Sequence, residues 1–102
     1  MSVVRISLGR FDASNYATVR KLLDESKVSL ISAIRALNGN LSYYVGIDQE
    51  TSTMTNVSVW SSLDDAKQMA SLPAMLALAK TFTEQGVSFE RPITNHETLW
   101  SI

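Results

Sequence analysis

The chain has 102 residues, a formal net charge of −1 from nine basic and ten acidic side chains, and no cysteine. This length predicts one domain with one core, residues 1–102. The lack of cysteine excludes disulfides and thiolate metal or nucleophile sites, and the absence of a basic block argues against nucleic-acid binding. We expect a cytosolic protein that does not enter membranes, because no segment approaches the ~18 apolar residues of a membrane span.

The first half of the sequence predicts a strand, a helix and a strand. Residues 3–8 alternate in polarity as a strand does. Apolar residues then recur at helical spacing, from a cap at Ser14 to a stop at Gly39, with an expected break over residues 26–29. Residues 41–48 alternate again and predict the second strand.

The second half repeats this order. It predicts a strand over 53–60, a helix begun by Ser61 or Ser62 and interrupted at Pro73, a helical segment over 73–85 and a strand over 87–91. The interruption is expected because proline lacks a backbone donor and fits best in a helical first turn. Pro92 makes the stretch up to Trp100 an edge strand or a separate strand.

Two strand–helix–strand halves, 3–48 and 53–91, predict an α+β fold. The expected architecture is a ferredoxin-like split βαβ sandwich, in which a four-stranded antiparallel sheet carries its helices on one face. Judged by hydrophobicity, the helix-covered side is predicted to hold Val4, Ile6, Leu8, Tyr43, Val45, Ile47, Val57 and Val59. The opposite side then holds Arg5, Tyr44, Met54, Asn56, Ser58 and Trp60. Because that side is apolar for a solvent-facing surface, we expect a second copy to cover it and form a homodimer.

Asn56 and Trp60 are the strongest candidates for a site. Successive strand residues alternate faces, so these two side chains lie on one surface together with Ser58. An amide midway along a strand needs polar partners, which a ligand or a structural hydrogen bond would supply. Trp60 suits either a ligand wall or interface packing. Arg5 and Tyr44 share this side, where they would contact a ligand or provide polarity at a dimer contact.

His96 is the only histidine in the chain. Its side chain is therefore the only one whose ordinary pKa suits proton transfer near neutral pH, which makes it a candidate catalytic residue. Its position in the tail beyond Pro92 equally fits a surface residue. One histidine without a ligand spacing predicts no metal site.

The order of elements, the Asn56-x-x-x-Trp60 spacing and the following Ser-Ser-Leu-Asp-Asp-Ala resemble the antibiotic-biosynthesis-monooxygenase-like family of dimeric α+β barrels. The resemblance implies oxygenation without a cofactor, in which a deprotonated aromatic substrate itself gives electrons to dioxygen. It implies that Asn56 donates a hydrogen bond to the substrate and that Trp60 packs against it.

Two branches of that family differ from this sequence. A tyrosine of the quinone-forming branch would fall near Ala66, which has no functional group. The haem-degrading branch carries an asparagine on the first strand and a histidine on the second helix, and residues 3–8 and 63–71 contain neither. Haem cleavage is therefore not expected.

Two functions remain open. One is a homodimer that binds a small aromatic or polyketide-like molecule and oxygenates it, with Asn56, Trp60 and His96 as catalytic residues and Tyr44, Arg5 and Ser58 as binding residues. The other is a non-catalytic binding or assembly dimer, in which the polar-aromatic strip is only a subunit interface.

Overall fold

Five antiparallel strands and three α-helices make up the computed structural model, which describes all of residues 1–102. The strands are β1 (Val3–Arg10), β2 (Asn40–Asp48), β3 (Thr53–Trp60), β4 (Ser88–Phe89) and β5 (Thr94–Glu97), and the helices are α1 (Tyr16–Arg35), α2 (Leu63–Lys67) and α3 (Pro73–Glu84). No helix combines the length and the apolar character that crossing a bilayer requires.

The sheet has the strand order β2-β3-β1-β4. β3 pairs along its whole length with β1 on one side and β2 on the other, whereas the outer edge of β1 is shared. Gly9 and Arg10 pair with β4, and residues 3–6 pair with β5. The ferredoxin-like α+β fold is confirmed, and the segment after Pro92 adds a fifth, edge strand to the predicted four.

The helix boundaries follow the predicted stop and start signals in the second half of the chain. The Ser62 hydroxyl accepts a hydrogen bond from the backbone N–H of Asp65 at 3.1 Å, so Ser62 is the N-cap of α2. Leu72 is extended and separates a short 3-10 turn from α3, which begins at Pro73 as predicted. Gly86, at φ +90, turns the chain away from α3 in a conformation that favours glycine.

Two predictions for α1 are wrong. The carboxylate of Asp12, not Ser14, caps the 3-10 turn before the helix by accepting from the Ser14 backbone N–H at 3.0 Å. The helix is also continuous through residues 26–29. The Ser26 hydroxyl donates to the carbonyl oxygen of Leu23 at 2.6 Å, so this serine is satisfied inside the helix and does not interrupt it.

The predicted assignment of the sheet faces is wrong for β1 and β3. Trp60 is 0% exposed and Ser58 2% exposed beneath the helices, whereas Ile6 on the opposite face is 37% exposed. Alternation along each strand correctly shows which residues share a face. The prediction that the helices cover the more hydrophobic face is wrong for these two strands. The helix-covered face carries Val3, Arg5, Ser7, Gly9, Tyr43, Val45, Ile47, Met54, Asn56, Ser58 and Trp60, and the open face carries Val4, Ile6, Leu8, Tyr44, Thr55, Val57 and Val59.

The core between the helices and the sheet is divided into two apolar clusters. The tryptophan cluster consists of Val3, Leu30, Ile34, Trp60, Ala66 and Met69. The phenylalanine cluster consists of Phe11, Val19, Leu23, Met54, Phe82 and Val87. Leu78 of α3 packs against both clusters. The helix-covered face is therefore apolar at its two ends, and its middle has a different composition.

Candidate functional site

Polar side chains occupy the middle of the helix-covered face, between the two clusters. Neighbouring residues on paired strands project to the same side of a sheet, so the register defines rows of side chains across it. One row runs through Tyr43, Ser58, Arg5 and Asn95, and the next runs through Val45, Asn56 and Ser7. We call these two rows the polar band.

A cavity of about 240 Å³ lies above the polar band, between the sheet and helices α1 and α3. Its walls are mostly apolar, with Leu23 and Leu30 from α1 and Met75 and Phe82 from α3 among them. Five of the side chains that line it are polar: Arg5, Ser7, Ser26, Asn56 and Arg91. This combination of apolar walls and a few convergent polar groups is typical of small-molecule sites.

The amide of Asn56 is the polar group in this cavity that most needs a partner. Its Oδ1 is buried and accepts no hydrogen bond. Leaving a buried acceptor without a partner costs about 1–3 kcal/mol, and most buried polar atoms in proteins avoid that cost. A donor on a bound molecule would satisfy Oδ1.

Arg5 brings a half-buried positive charge to the same cavity. Its Nη1 donates one long hydrogen bond, 3.4 Å, to the Asn95 Oδ1. The three ion pairs of the chain lie at the surface and do not include Arg5. Burial lowers the pKa of Arg5, the nearby Tyr43 raises it, and repulsion from Arg91 lowers it. Arginine remains protonated in proteins, so the guanidinium is a cation without a carboxylate partner.

Tyr43 shares a row of the polar band with Arg5, on the other side of Ser58, and it is not among the site residues predicted from the sequence. Burial raises the pKa of Tyr43 to about 12, although the Arg5 guanidinium acts in the opposite direction. The phenol is therefore neutral at physiological pH. Alternation along residues 41–48 correctly predicts Tyr43 on the helix-covered face, and only the strand register reveals that it lies in the same row as Arg5.

Arg91 is the second cation of the cavity and was also missed from the sequence. It is exposed at the rim, where its guanidinium lies 5.3 Å from the centre of the Phe89 ring. Its Nη1 donates to the backbone carbonyl of Glu90 at 3.3 Å. No sequence signal distinguishes Arg91 from other surface arginines, because only the fold of residues 88–97 along β1 brings it to the cavity.

Trp60 and Ser58 lie on the helix-covered face but do not line the cavity. The indole Nε1 donates to the Ser58 hydroxyl at 2.8 Å, and both side chains are buried. Their polar atoms satisfy each other inside the tryptophan cluster. The predicted strip also cannot be a subunit interface, because the helices of the same chain already cover it.

Tyr44 and His96 are separated from the other predicted site residues by the sheet itself. Tyr44 is 64% exposed on the open face. His96 of β5 pairs with Val4 of β1, and its side chain is exposed on the open face as well. Of the six predicted residues, the structure brings only Arg5 and Asn56 together at a cavity.

The lining of the cavity favours binding and anion stabilisation over proton transfer by a side chain. Its polar groups are two guanidiniums, two hydroxyls and one amide, with no carboxylate and no imidazole. The chain also contains no cluster of three or more histidine, cysteine or acidic residues that would hold a metal ion.

Known proteins with this architecture were identified by structure and not by sequence. No family model and no curated protein matches the sequence. A structure from Deinococcus radiodurans, described as a "putative antibiotic biosynthesis monooxygenase", has a TM-score of 0.72 and 23% identity, covering 100% of this chain and 96% of that one. Rv0793 from Mycobacterium tuberculosis has a TM-score of 0.71 and 18% identity, covering 99% and 98%.

A third similar structure has a stated activity. SnoaB from Streptomyces nogalater is a cofactor-independent oxygenase with a TM-score of 0.69 and 10% identity, covering 99% of this chain and 96% of that one. At these identities the likeness concerns the fold. The resemblance predicted from the sequence is thus confirmed at that level: the chain has the fold of antibiotic biosynthesis monooxygenase-like proteins.

Proposed function

We propose that this protein is a cofactor-independent monooxygenase that binds a small aromatic or polyketide-like molecule in the cavity above the polar band. One observation carries the proposal: the Asn56 Oδ1 is buried without a partner in a mostly apolar cavity. The shared fold with SnoaB, a cofactor-independent oxygenase, supports the type of reaction.

In such a reaction the substrate supplies the electrons. A hydroxyaromatic that has lost its phenolic proton gives an electron to O₂, the two radicals combine at a ring C–H carbon, and the peroxide loses water, so that the phenol and O₂ become a quinone and H₂O. The Arg5 guanidinium would stabilise the substrate anion, and the Asn56 amide would orient an adjacent hydroxyl. The apolar walls would keep bulk water from the reactive intermediate.

The size of the cavity limits the substrate. The cavity has a volume of about 240 Å³. Sites for drug-sized ligands are larger, about 300–1,000 Å³. A molecule with one or two rings fits this volume better than a tetracyclic polyketide.

Oxygen uptake with a panel of one- and two-ring hydroxyaromatics tests the activity, using protein treated with a chelator and ¹⁸O₂ to label the product. We expect label in the product and a rate lower by up to about tenfold in Asn56→Ala, the upper end of the effect of losing one neutral hydrogen bond. Asn38→Ala is the matched control, because Asn38 is exposed and bonds only through its backbone. Binding without oxygen uptake for every panel member would support the non-catalytic alternative.

We further propose that the protein is a homodimer and that the interface is the open face. The central residues of this face, among them Val4, Ile6 and Val57, form an apolar surface without charged side chains. Isolated soluble chains rarely expose such patches, and sheets commonly pack face to face. This differs from the predicted interface, which contained Trp60 and Asn56.

The mass in solution tests the dimer. Val57→Lys places a charge at the centre of the open face, so light scattering is expected to give the mass of one chain. Val28→Lys is the matched control, because Val28 is 83% exposed on α1, and it is expected to leave the dimer intact. A single-chain mass for the unmodified protein would contradict the proposal.

A further inference from the structure

The charges of the cavity point to the substrate class. Building on the proposed function, we infer that the substrate binds as an anion: a one- or two-ring hydroxyaromatic whose ionised oxygen, a carboxylate or a phenolate, is held between Arg5 and Arg91.

The positive charge of the cavity is not compensated by an acidic side chain. Two guanidiniums line it, and no carboxylate does. Glu90, the acid adjacent to Arg91 in sequence, is ion-paired with Arg10 at 2.6 Å. Neither α1 nor α3 contributes a titratable side chain to the lining, and the neighbouring Tyr43 is neutral. Two like charges that line one cavity repel each other, and a bound anion would relieve that repulsion.

The unused hydrogen-bond groups of Arg5 and Asn56 also favour an anionic hydroxyaromatic. A guanidinium has five N–H donors in a planar fork that matches a carboxylate or a phenolate. In Arg5 the structure uses one of these donors, in the 3.4 Å bond to Asn95. Asn56 Oδ1, in contrast, requires a donor from the ligand. A ring that carries an anionic oxygen and a separate hydroxyl satisfies both residues.

For a phenolate, the same arrangement explains how the hydroxyl loses its proton without a base in the cavity. His96, the one histidine, is on the open face, and no carboxylate lines the cavity. Two fixed cations favour the ionised form of an acidic substrate, so its proton passes to solvent on binding. The cavity therefore selects substrates that are already acidic.

Calorimetric titration with 6-hydroxy-2-naphthoate and its neutral amide, 6-hydroxy-2-naphthamide, tests this inference in the absence of turnover. For a carboxylate site we expect the acid to bind at least tenfold more tightly than the amide. Arg5→Gln and Arg91→Gln are each expected to weaken the acid by about 10- to 100-fold, the range for one hydrogen bond to a charged group, and to change the amide little. Arg10→Gln, an exposed position on the same strand as Arg5, is the matched control.

An unchanged acid affinity in both arginine variants would overturn the inference. Equal affinities for the acid and the amide would overturn it if the affinity for 2-naphthol also fails to rise as the naphthol ionises. Arg91 is exposed at the rim, so Arg91→Gln remains informative even if Arg5→Gln does not fold. A parallel titration with 2-naphthol identifies the anion: affinity that rises as the naphthol ionises assigns a phenolate site, and tight binding of the acid alone assigns a carboxylate site.

The titrations and the oxygen-uptake assay distinguish failure of the anion site from failure of the monooxygenase proposal. If the acid binds through the two arginines but no oxygen is consumed, the anion site stands and the monooxygenase proposal fails. If neutral hydroxyaromatics are oxidised and the acid is rejected, the monooxygenase proposal stands and the anion site fails.

Discussion

Trp60 at the end of β3 and Asn56 in the middle of the strand each bring a buried polar atom to the helix-covered face, but only the atom of Trp60 has a hydrogen-bond partner. The Trp60 Nε1 donates to the Ser58 hydroxyl and the indole is fully buried. Asn56 lies on the same face, yet its Oδ1 is buried without a partner. At the end of the face the buried polar atoms are hydrogen-bonded to each other, whereas in the middle one buried acceptor is unpaired and a ligand could bond to it.

The charged groups show the same contrast. Arg10 at the end of β1 is ion-paired with Glu90 at the surface, whereas Arg5 near the middle of the strand is half-buried without a carboxylate. Burial without compensation opposes folding, so the polar band reduces the stability that the two clusters provide. Substitutions at the ends and in the middle are therefore expected to differ in sign as well as in size.

The largest change in the free energy of unfolding is expected in the tryptophan cluster. Trp60→Ala leaves a cavity in the tryptophan cluster and should lower the free energy of unfolding by about 3–5 kcal/mol. Trp100→Ala is the control, because Trp100 is 80% exposed, and it should change stability little. Urea unfolding of both variants measures the difference. Similar values for the two would show that Trp60 is not a core residue.

The next effect is pH dependence from Tyr43, at the boundary of the band. Its pKa is raised to about 12 in the folded chain, above an unfolded value near 10. The neutral phenol is thus favoured by folding: stability is fully present below about pH 10 and is lost as the pH rises towards about 12, by ~2–3 kcal/mol in all. Urea unfolding across this interval should show a steeper loss in the unmodified protein than in Tyr43→Phe.

Tyr44→Phe is the matched control for that experiment, since Tyr44 is exposed on the open face. It should retain the alkaline loss of the unmodified protein. An identical pH profile for Tyr43→Phe and Tyr44→Phe would contradict the burial of the Tyr43 phenol beside Arg5.

A substitution in the middle of the helix-covered face should raise the free energy of unfolding, whereas the substitution at its end should lower it. Asn56→Leu removes an unpartnered acceptor and fills part of the cavity, so the free energy of unfolding should rise by about 1–3 kcal/mol while ligand binding is lost. Asn38→Leu, at an exposed turn, should do neither. A loss of stability in Asn56→Leu, measured by urea unfolding, would indicate that Asn56 has a structural partner.

The smallest effect is expected at the surface end of β1. The Arg10–Glu90 pair has both side chains more than half exposed. Arg10→Gln should therefore change the free energy of unfolding by less than about 1 kcal/mol. A larger loss would mean that the surface pair, and not the cluster packing, holds β4 against β1.

The elements of this fold could be predicted from the sequence because their signals are local. The alternation of residues 53–60 and the proline at 73 are short-range patterns that fix a strand and a helix start. The choice of face is not local. The set Val4, Ile6 and Leu8 is more apolar than Val3, Arg5 and Ser7, yet the helices cover the second set.

The candidate site was only half predictable for the same reason. Asn56 and Arg5 were found because alternation places both on one side of the sheet. Arg91 reaches the cavity through the path of residues 88–97, and Tyr43 reaches Arg5 through the register of β2, β3 and β1. Alternation within one strand contains neither kind of information. Hydrophobicity misled where a polar band lies under the helices and an apolar face lies open.

A crystal structure of the protein with 6-hydroxy-2-naphthoate tests the central claim most directly. We expect the ring in the cavity between the sheet and helices α1 and α3, the hydroxyl donating to Asn56 Oδ1 and the carboxylate within hydrogen-bond distance of Arg5 or Arg91. A ligand bound outside this cavity, with the Asn56 amide still unpartnered, would contradict this expectation.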